Sequence, residues 1–238
     1  MLTFPEIERA LVVTAHPDDV DFGAAGTVAM LTDSGVQVTY CIVTDGDAGG
    51  SDRAVARKDM ALLRRKEQTD AAEIVGVTDL HFLGYGDGRL MVTLQLRADI
   101  STVIRRVRPR VVITQSPERN LDRIYSSHPD HIAAGEATLC AVYPDARNPF
   151  AFPDLFGEEV EPWAVDEVWI QGGGDGTNAI DVTAAIDRKI AALMCHVSQH
   201  TDPQRTETMV REWLARTAKQ FDLPDGAAAE TFRVVDTR

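Results

Sequence analysis

Basic residues are in short supply in this chain. Twenty-four Lys and Arg stand against 37 Asp and Glu in 238 residues, which leaves a formal net charge of −13. That balance argues against nucleic acid or an anionic membrane surface as the main partner, since both are held by clustered positive charge. Cysteine is scarce as well. Cys41, Cys140 and Cys195 are odd in number, widely spaced and each set inside an apolar segment. They read as reduced core thiols rather than a disulfide framework, and predict a cytoplasmic setting. No apolar run reaches the roughly 18 residues of a membrane span. The opening MLTFPEIERA also lacks the basic and apolar regions of a secretory signal, so a soluble protein is expected. Repeats and low-complexity tracts are absent. The glycine-rich stretches Gly46 to Gly50 and Gly172 to Gly176 lack the spacing of a phosphate loop, which leaves them as flexible loops and makes a nucleotide-binding module a weak rival.

What is present is enough for a full core. Hydrophobic residues make up 44% and charged residues 26%, and one α/β domain over 1–238 is the expected organisation. Short β-branched runs at Leu11 to Thr14, Gln37 to Thr44, Leu80 to Leu83, Arg110 to Thr114 and Glu167 to Gln171 predict strands. Between most of them, helical spacing covers Gly23 to Asp33, Ala54 to Val75, Leu94 to Val107 and Pro129 to Val142. Such alternation predicts a Rossmann-like, mainly parallel sheet flanked by helices. In the Ala54 to Val75 helix, Ala61, Leu62, Ala71, Ala72 and Val75 form a partial apolar stripe, and Arg64-Arg65-Lys66 reads most simply as a solvated face from which one arginine could reach an anionic substrate group. Pro144 to Pro162 is a long proline- and aromatic-rich segment, read as a pocket wall. Order resumes at Ala179 to Val182, two helices at Ala184 to Val197 and Pro203 to Phe221, and a last strand at Thr231 to Val235.

Two clusters carry chemistry. Ala15-His16-Pro17-Asp18-Asp19 follows the first strand, at the carboxyl end where open α/β sheets place ligands, and His128-Pro129-Asp130-His131 opens a later helix. A hydrolytic zinc site commonly uses two imidazoles and a carboxylate and leaves a position for water. His16, Asp19 and His131 supply that set, because residues three apart share a face of the first helical turn. Asp18 is then free to act as a general base. His128, a turn before His131, can reach the centre without ligating metal and is assigned the transition-state role, stabilising the oxyanion. The same donor set also accepts iron, cobalt or manganese. Local structure alone would account for parts of this pattern: an Asp-Asp N-cap, a proline at the first helical position, Asp130 as a cap or as a partner orienting a ligand histidine. His196 and His200, at a helix end with Ser198 and Gln199, are read as capping groups or as contacts to substrate or a neighbouring subunit.

These motifs resemble the LmbE-like, or PIG-L type, family of zinc-dependent N-acetylglucosaminyl deacetylases. Besides the two clusters, Thr44-Asp45-Gly46-Asp47-Ala48-Gly49, Arg65 with Glu67, Leu83 to Leu90, Ile180 to Thr183, Lys189 and His196-Val197-Ser198-Gln199 look like the family's later motifs. The resemblance covers most of the chain. It implies one zinc held by His16, Asp19 and His131, Asp18 as base, His128 as electrophilic or acid partner, and hydrolysis of an N-acetyl group from a glucosamine-containing small molecule. Arg65 and Asp87 resemble residues lining the sugar pocket. Gly86 stands where the family often has proline, and Tyr125, three residues before His128, departs from the spacing seen in mycothiol-pathway relatives. A related amidase cleaving a larger acyl group would use the same residues, and a non-catalytic binding module would hold no stoichiometric metal. The aromatics Phe150, Phe152, Phe156 and Trp163 suit a homo-oligomer interface.

Overall fold

A computed structural model describes residues 1–50, 52, 54–153, 160–172 and 176–238, apart from the side chain of Tyr125. Among them, seven strands form a sheet ordered β3-β2-β1-β4-β5-β7-β6. These are β1 (Arg9–Thr14), β2 (Gln37–Thr44), β3 (Asp79–Tyr85), β4 (Val111–Gln115), β5 (Glu167–Gln171), β6 (Asn178–Asp181) and β7 (Ala229–Asp236). The first five run parallel, whereas β7 is antiparallel to both β5 and β6. The helices are α1 (Asp19–Gly23), α2 (Ala25–Asp33), α3 (Arg57–Ile74), α4 (Leu94–Val107), α5 (Pro129–Cys140), α6 (Ile186–Met194) and α7 (Pro203–Gln220). None of the described helices is long and apolar enough to cross a membrane.

Side-chain alternation splits the core into two layers. In β1, Ala10 and Val12 join a cluster on one face with Ala25, Val28, Ala71, Leu193 and Leu214, while Leu11 and Val13 join the other with Ile100, Ile104, Ala134 and Ala137. A strand covered on both faces must be apolar throughout, which is why Leu11 to Thr14 reads as a continuous run.

Strand order reverses at β1, whose neighbours are β2 and β4, so the carboxyl ends of β1 and β4 open a crevice between diverging connections. Gln115, at the end of β4, closes its floor by accepting the Ala15 N–H at Oε1, 2.8 Å away. Helix α5 lies close above, and Gly135 makes this possible: a Cβ there would sit 2.3 Å from the Gln115 carbonyl oxygen.

The expected helix from Gly23 to Asp33 is present as α2, and a break at Ala24 separates it from the short α1 before it. A buried ion pair spans the break. Lys189 Nζ donates to the Asp21 and Phe22 carbonyls at 2.9 and 2.6 Å and meets Glu230 Oε1 at 2.7 Å. Glu230 in turn accepts the Gly26 and Thr27 N–H groups at the start of α2. Cation on α1 carbonyls and carboxylate on α2 amides suit the polarity of the two helix ends.

In α3 and its C-cap the expected stripe holds at Ala71, Ala72 and Val75, which are fully buried, but fails in the first half of the helix. Leu62 is 68% exposed, while Arg64, Glu67 and Gln68 are buried beside Met60, Ala71 and Ala72. The solvated reading of Arg64 is corrected: this helix turns polar groups inward because its first half backs the crevice rather than the apolar core. Within 144–162, residues 154–159, including Phe156, lie outside the described residues, as do 173–175 of the second glycine stretch. Phe150 is exposed, but Trp163 is half-buried on its own chain, where its ring N–H donates to the Pro109 carbonyl at 2.7 Å.

Candidate metal and catalytic site

The loop after β1 turns sharply at Asp18, whose φ of 89° and ψ of −27° are left-handed. A non-glycine residue held there costs on the order of 1–3 kcal/mol, so its surroundings must impose it. They do so at both ends of the residue. The Asp18 N–H donates to Gln68 Oε1 at 2.8 Å, and the carboxylate Oδ2 lies 3.1 Å from Arg64 Nη2. Arg64 also donates to the Pro17 and Gly46 carbonyls. The 46–50 loop wraps its guanidinium so closely that a Cβ at Gly46 would fall 2.3 Å from Nη1.

Asp19 is fixed separately. Its Oδ2 accepts the His16 backbone N–H at 2.7 Å, which closes the turn. The turn aims side-chain donors at one another: His16 Nδ1 and Asp19 Oδ2 are 3.2 Å apart, His131 Nε2 and Asp19 Oδ1 are 3.0 Å apart, and His131 Nε2 and His16 Nδ1 are 3.3 Å apart. Adjacent ligands around a tetrahedral zinc with bonds of roughly 2.0–2.1 Å are separated by about 3.3 Å. Two imidazoles and a carboxylate at these separations fit such an ion. Nitrogens of His16, His128 and His131 also come within 4.8 Å of one another, as do donor atoms of His16, Asp87 and Asp130.

The far side of His16 is acidic. Its Nε2 lies 3.2 Å from both Asp130 Oδ2 and Asp87 Oδ1. Asp130 accepts the Gly88 and Leu90 N–H groups as well, and Asp87 Oδ2 accepts that of Ala48, so both carboxylates are held in place. This is the arrangement in which outer carboxylates orient a ligand histidine. Of the readings open for Asp130 in the sequence, the orienting one matches its position.

Charge follows this geometry. Burial pulls the His16 pKa down, but Asp19, Asp130 and Asp87 override it and raise it to about 12. The negative field that captures a proton in this way also attracts a metal cation. Burial pushes Asp18 up to about 6, with Arg64 opposing, while His131 and His16 outweigh burial to hold Asp19 well below the usual carboxylate range. His128 is lowered by burial and by the neighbouring His16 and His131. Its Nδ1 accepts the Asp130 N–H at 3.1 Å, and this bond assigns the ring proton of the neutral form to Nε2.

The structure thus gathers His16, Asp18, Asp19, Asp87, His128 and His131 in one crevice. Arg65 sits at its edge, paired through Nε and Nη2 to both oxygens of Asp45 at 2.7 and 2.8 Å. Arg64, one position earlier, is the arginine that meets Asp18. Gln68 and Asp21 were not singled out by the sequence, and the reading of His196 as a cap or substrate contact is corrected: it is fully buried, with Nε2 2.8 Å from Asp21 Oδ2. His200 instead meets the Leu193 carbonyl through Nε2 at 2.9 Å.

The sequence profile of the PIG-L family, described as GlcNAc-PI de-N-acetylase, matches residues 11–142, a span that begins in β1 and contains both histidine clusters. The chain belongs to the PIG-L family. Among its PIG-L relatives, the diacetylchitobiose deacetylase of Thermococcus kodakarensis is 34% identical over 196 residues, covering 82% of this chain and 72% of that protein. The 1D-myo-inositol 2-acetamido-2-deoxy-alpha-D-glucopyranoside deacetylase of Rhodococcus jostii is 31% identical over 93% of both chains. In three dimensions, the N,N'-diacetylchitobiose deacetylase of Pyrococcus horikoshii matches with a TM-score of 0.90 at 25% identity, covering 98% of this chain and 86% of that one. The PIG-L fold of this chain is therefore α/β, as the strand and helix alternation predicts.

Proposed function

We propose that this chain is a metal-dependent hydrolase that removes the acetyl group from an N-acetylglucosamine-containing small molecule. The observation that carries the reading is the convergence of His16 Nδ1 and His131 Nε2, 3.3 Å apart, on the two oxygens of Asp19 at 3.2 and 3.0 Å, next to a separately held carboxylate, Asp18. The deacetylase names of relatives that align with most of this chain support it.

His16, Asp19 and His131 would hold the ion, with zinc as the family-based choice. When bound there, zinc acidifies a water molecule and polarises an amide carbonyl. Asp18 takes the proton of the attacking water as general base. Arg64 steadies that carboxylate. His128, with its proton on Nε2, donates to the amide oxygen as negative charge builds there. The C–N bond then breaks as Asp18 passes that proton to the leaving nitrogen, giving acetate and a free amine. Asp87 and Asp130 hold the His16 ring from behind, and Arg65, held by Asp45 at the crevice edge, is the arginine placed to contact the sugar. A homo-oligomer, a cytoplasmic setting and a single unit over 1–238 belong to the same proposal, with exposed Phe150 and the free thiols Cys41, Cys140 and Cys195 as support.

The test is acetate release from a panel of N-acetylglucosamine derivatives, including diacetylchitobiose, before and after chelation and after zinc is restored. Release that vanishes with chelation and returns with zinc supports the reading. Zinc-loaded, folded protein that frees no acetate from any derivative overturns it.

A further inference from the structure

We propose that His196 and Gln68 are positioning residues that hold Asp18 in its working conformation, His196 acting through Asp21. The inference rests on Asp18 being the general base, and it assigns a task to buried polar groups that the proposed reaction leaves unused.

The path is continuous and buried. His196 Nε2 meets Asp21 Oδ2 at 2.8 Å, Gln68 Nε2 donates to the same oxygen at 2.9 Å, and Gln68 Oε1 accepts the Asp18 N–H at 2.8 Å. His196, Asp21 and Gln68 all have 0% relative exposure, so none of them touches substrate. The chemistry of each group fixes its direction. The Asp18 N–H can only donate, so the amide of Gln68 presents its carbonyl to Asp18 and its NH2 to the Asp21 carboxylate. Reversed, the amide would set oxygen against carboxylate and NH2 against N–H. Asp21 thereby shares in fixing which way Gln68 faces, and His196, anchored just beyond α6, holds the Asp21 oxygen that does so.

The path ends on the one residue of the turn that needs outside support. Asp18 has a φ of 89°, and its carboxylate direction depends on that backbone. Asp19 depends on it less, because the His16 backbone N–H and His131 hold its two oxygens. Loss of the path should therefore let the base rotate away while the metal ligands stay in place. Rate should fall, and metal binding should not.

The experiment compares zinc-loaded wild type with Gln68→Met, His196→Ala, the double variant and His196→Gln, whose amide NH2 stands in for Nε2–H. Gln68→Met and His196→Ala should each lower kcat about 10-fold or more, the scale of a mispositioned catalytic group, with KM within about twofold and zinc stoichiometry unchanged. The double variant should be no slower than Gln68→Met, because both act on one atom, and His196→Gln should recover most of the loss. In metal-free protein, hydrogen exchange of the Asp18 amide should accelerate about 10-fold or more in Gln68→Met and His196→Ala. Wild-type kcat and exchange in Gln68→Met, or losses that multiply in the double variant, overturn the proposal. Should His196→Ala fail to fold, Gln68→Met decides alone. Asp18→Ala, run in parallel, separates the two claims: activity retained there refutes the base assignment, whereas an inactive Asp18→Ala beside a fully active Gln68→Met refutes only the positioning path.

Discussion

His16 and Asp130 meet at 3.2 Å across 114 residues of sequence, Nε2 against Oδ2, and the contact joins the two halves of the site. Asp130 lies one residue before His131, so a single turn of α5 supplies both a proposed metal ligand, His131, and the support for another, His16. Replacing Asp130 with Asn removes the negative charge behind His16 while keeping the shape. Metal affinity should fall about 10–100-fold, the usual effect of losing an outer-shell carboxylate, in a protein that remains folded. Competition with a chromogenic chelator measures this. Unchanged affinity would reduce Asp130 to a local cap for the 88–90 loop.

His131 contributes one member of the donor set and meets both Asp19 and His16. His131→Ala should lose metal and turnover together. Elemental analysis of the purified variant gives the answer, and full occupancy would move the third ligand elsewhere, with His128 the nearest substitute.

The Lys189–Glu230 pair holds α1 against α2 from inside the core. Lys189→Met would strand Glu230 as an unpaired buried carboxylate, at a cost of about 3–5 kcal/mol. Urea unfolding of the metal-free protein should show that loss, and Lys189→Met combined with Glu230→Gln should recover part of it. A loss below about 1 kcal/mol would mean that water reaches the pair.

His196 also predicts a pH dependence of stability. Burial pulls its pKa down, but the hydrogen bond and charge of Asp21, with Asp18 and Glu67 adding to them, raise it above the ordinary imidazole value. Folding therefore favours the protonated ring. Its contribution is complete below the unfolded value and is lost as pH rises through the higher folded value. The stability gap between metal-free wild type and His196→Gln should be widest at about pH 5.5 and narrow at alkaline pH, measured by urea unfolding across that range. A gap independent of pH would mean that the ring is neutral throughout.

Much of this was legible in the sequence for a local reason. His16, Asp18 and Asp19 lie within four residues of a buried strand's end, and His128 and His131 share a helical turn, so short-range spacing was enough to group them. The parallel strands announced themselves through continuous apolar runs. What escaped depended on distance or on the phase of a helix. Arg64 and Arg65 are adjacent, and only the rotation of α3 decides which one enters the crevice. An apolar-stripe argument misplaces that rotation because the buried face of α3 near the site is polar. His196 meets Asp21 across 175 residues, and no local pattern could pair them. The antiparallel return of β7 between β5 and β6 was illegible for the same reason, since nothing in Thr231 to Val235 specifies its neighbours.

Asp18→Ala tests the central claim most directly, through zinc per chain and acetate released from the best N-acetylglucosamine derivative, both compared with wild type. Asp18 is next to the donor set but not part of it, so the account predicts near-equal zinc in both proteins and turnover lower by about 100-fold or more in the variant. Loss of zinc from folded Asp18→Ala, or acetate release at the wild-type rate, would contradict it.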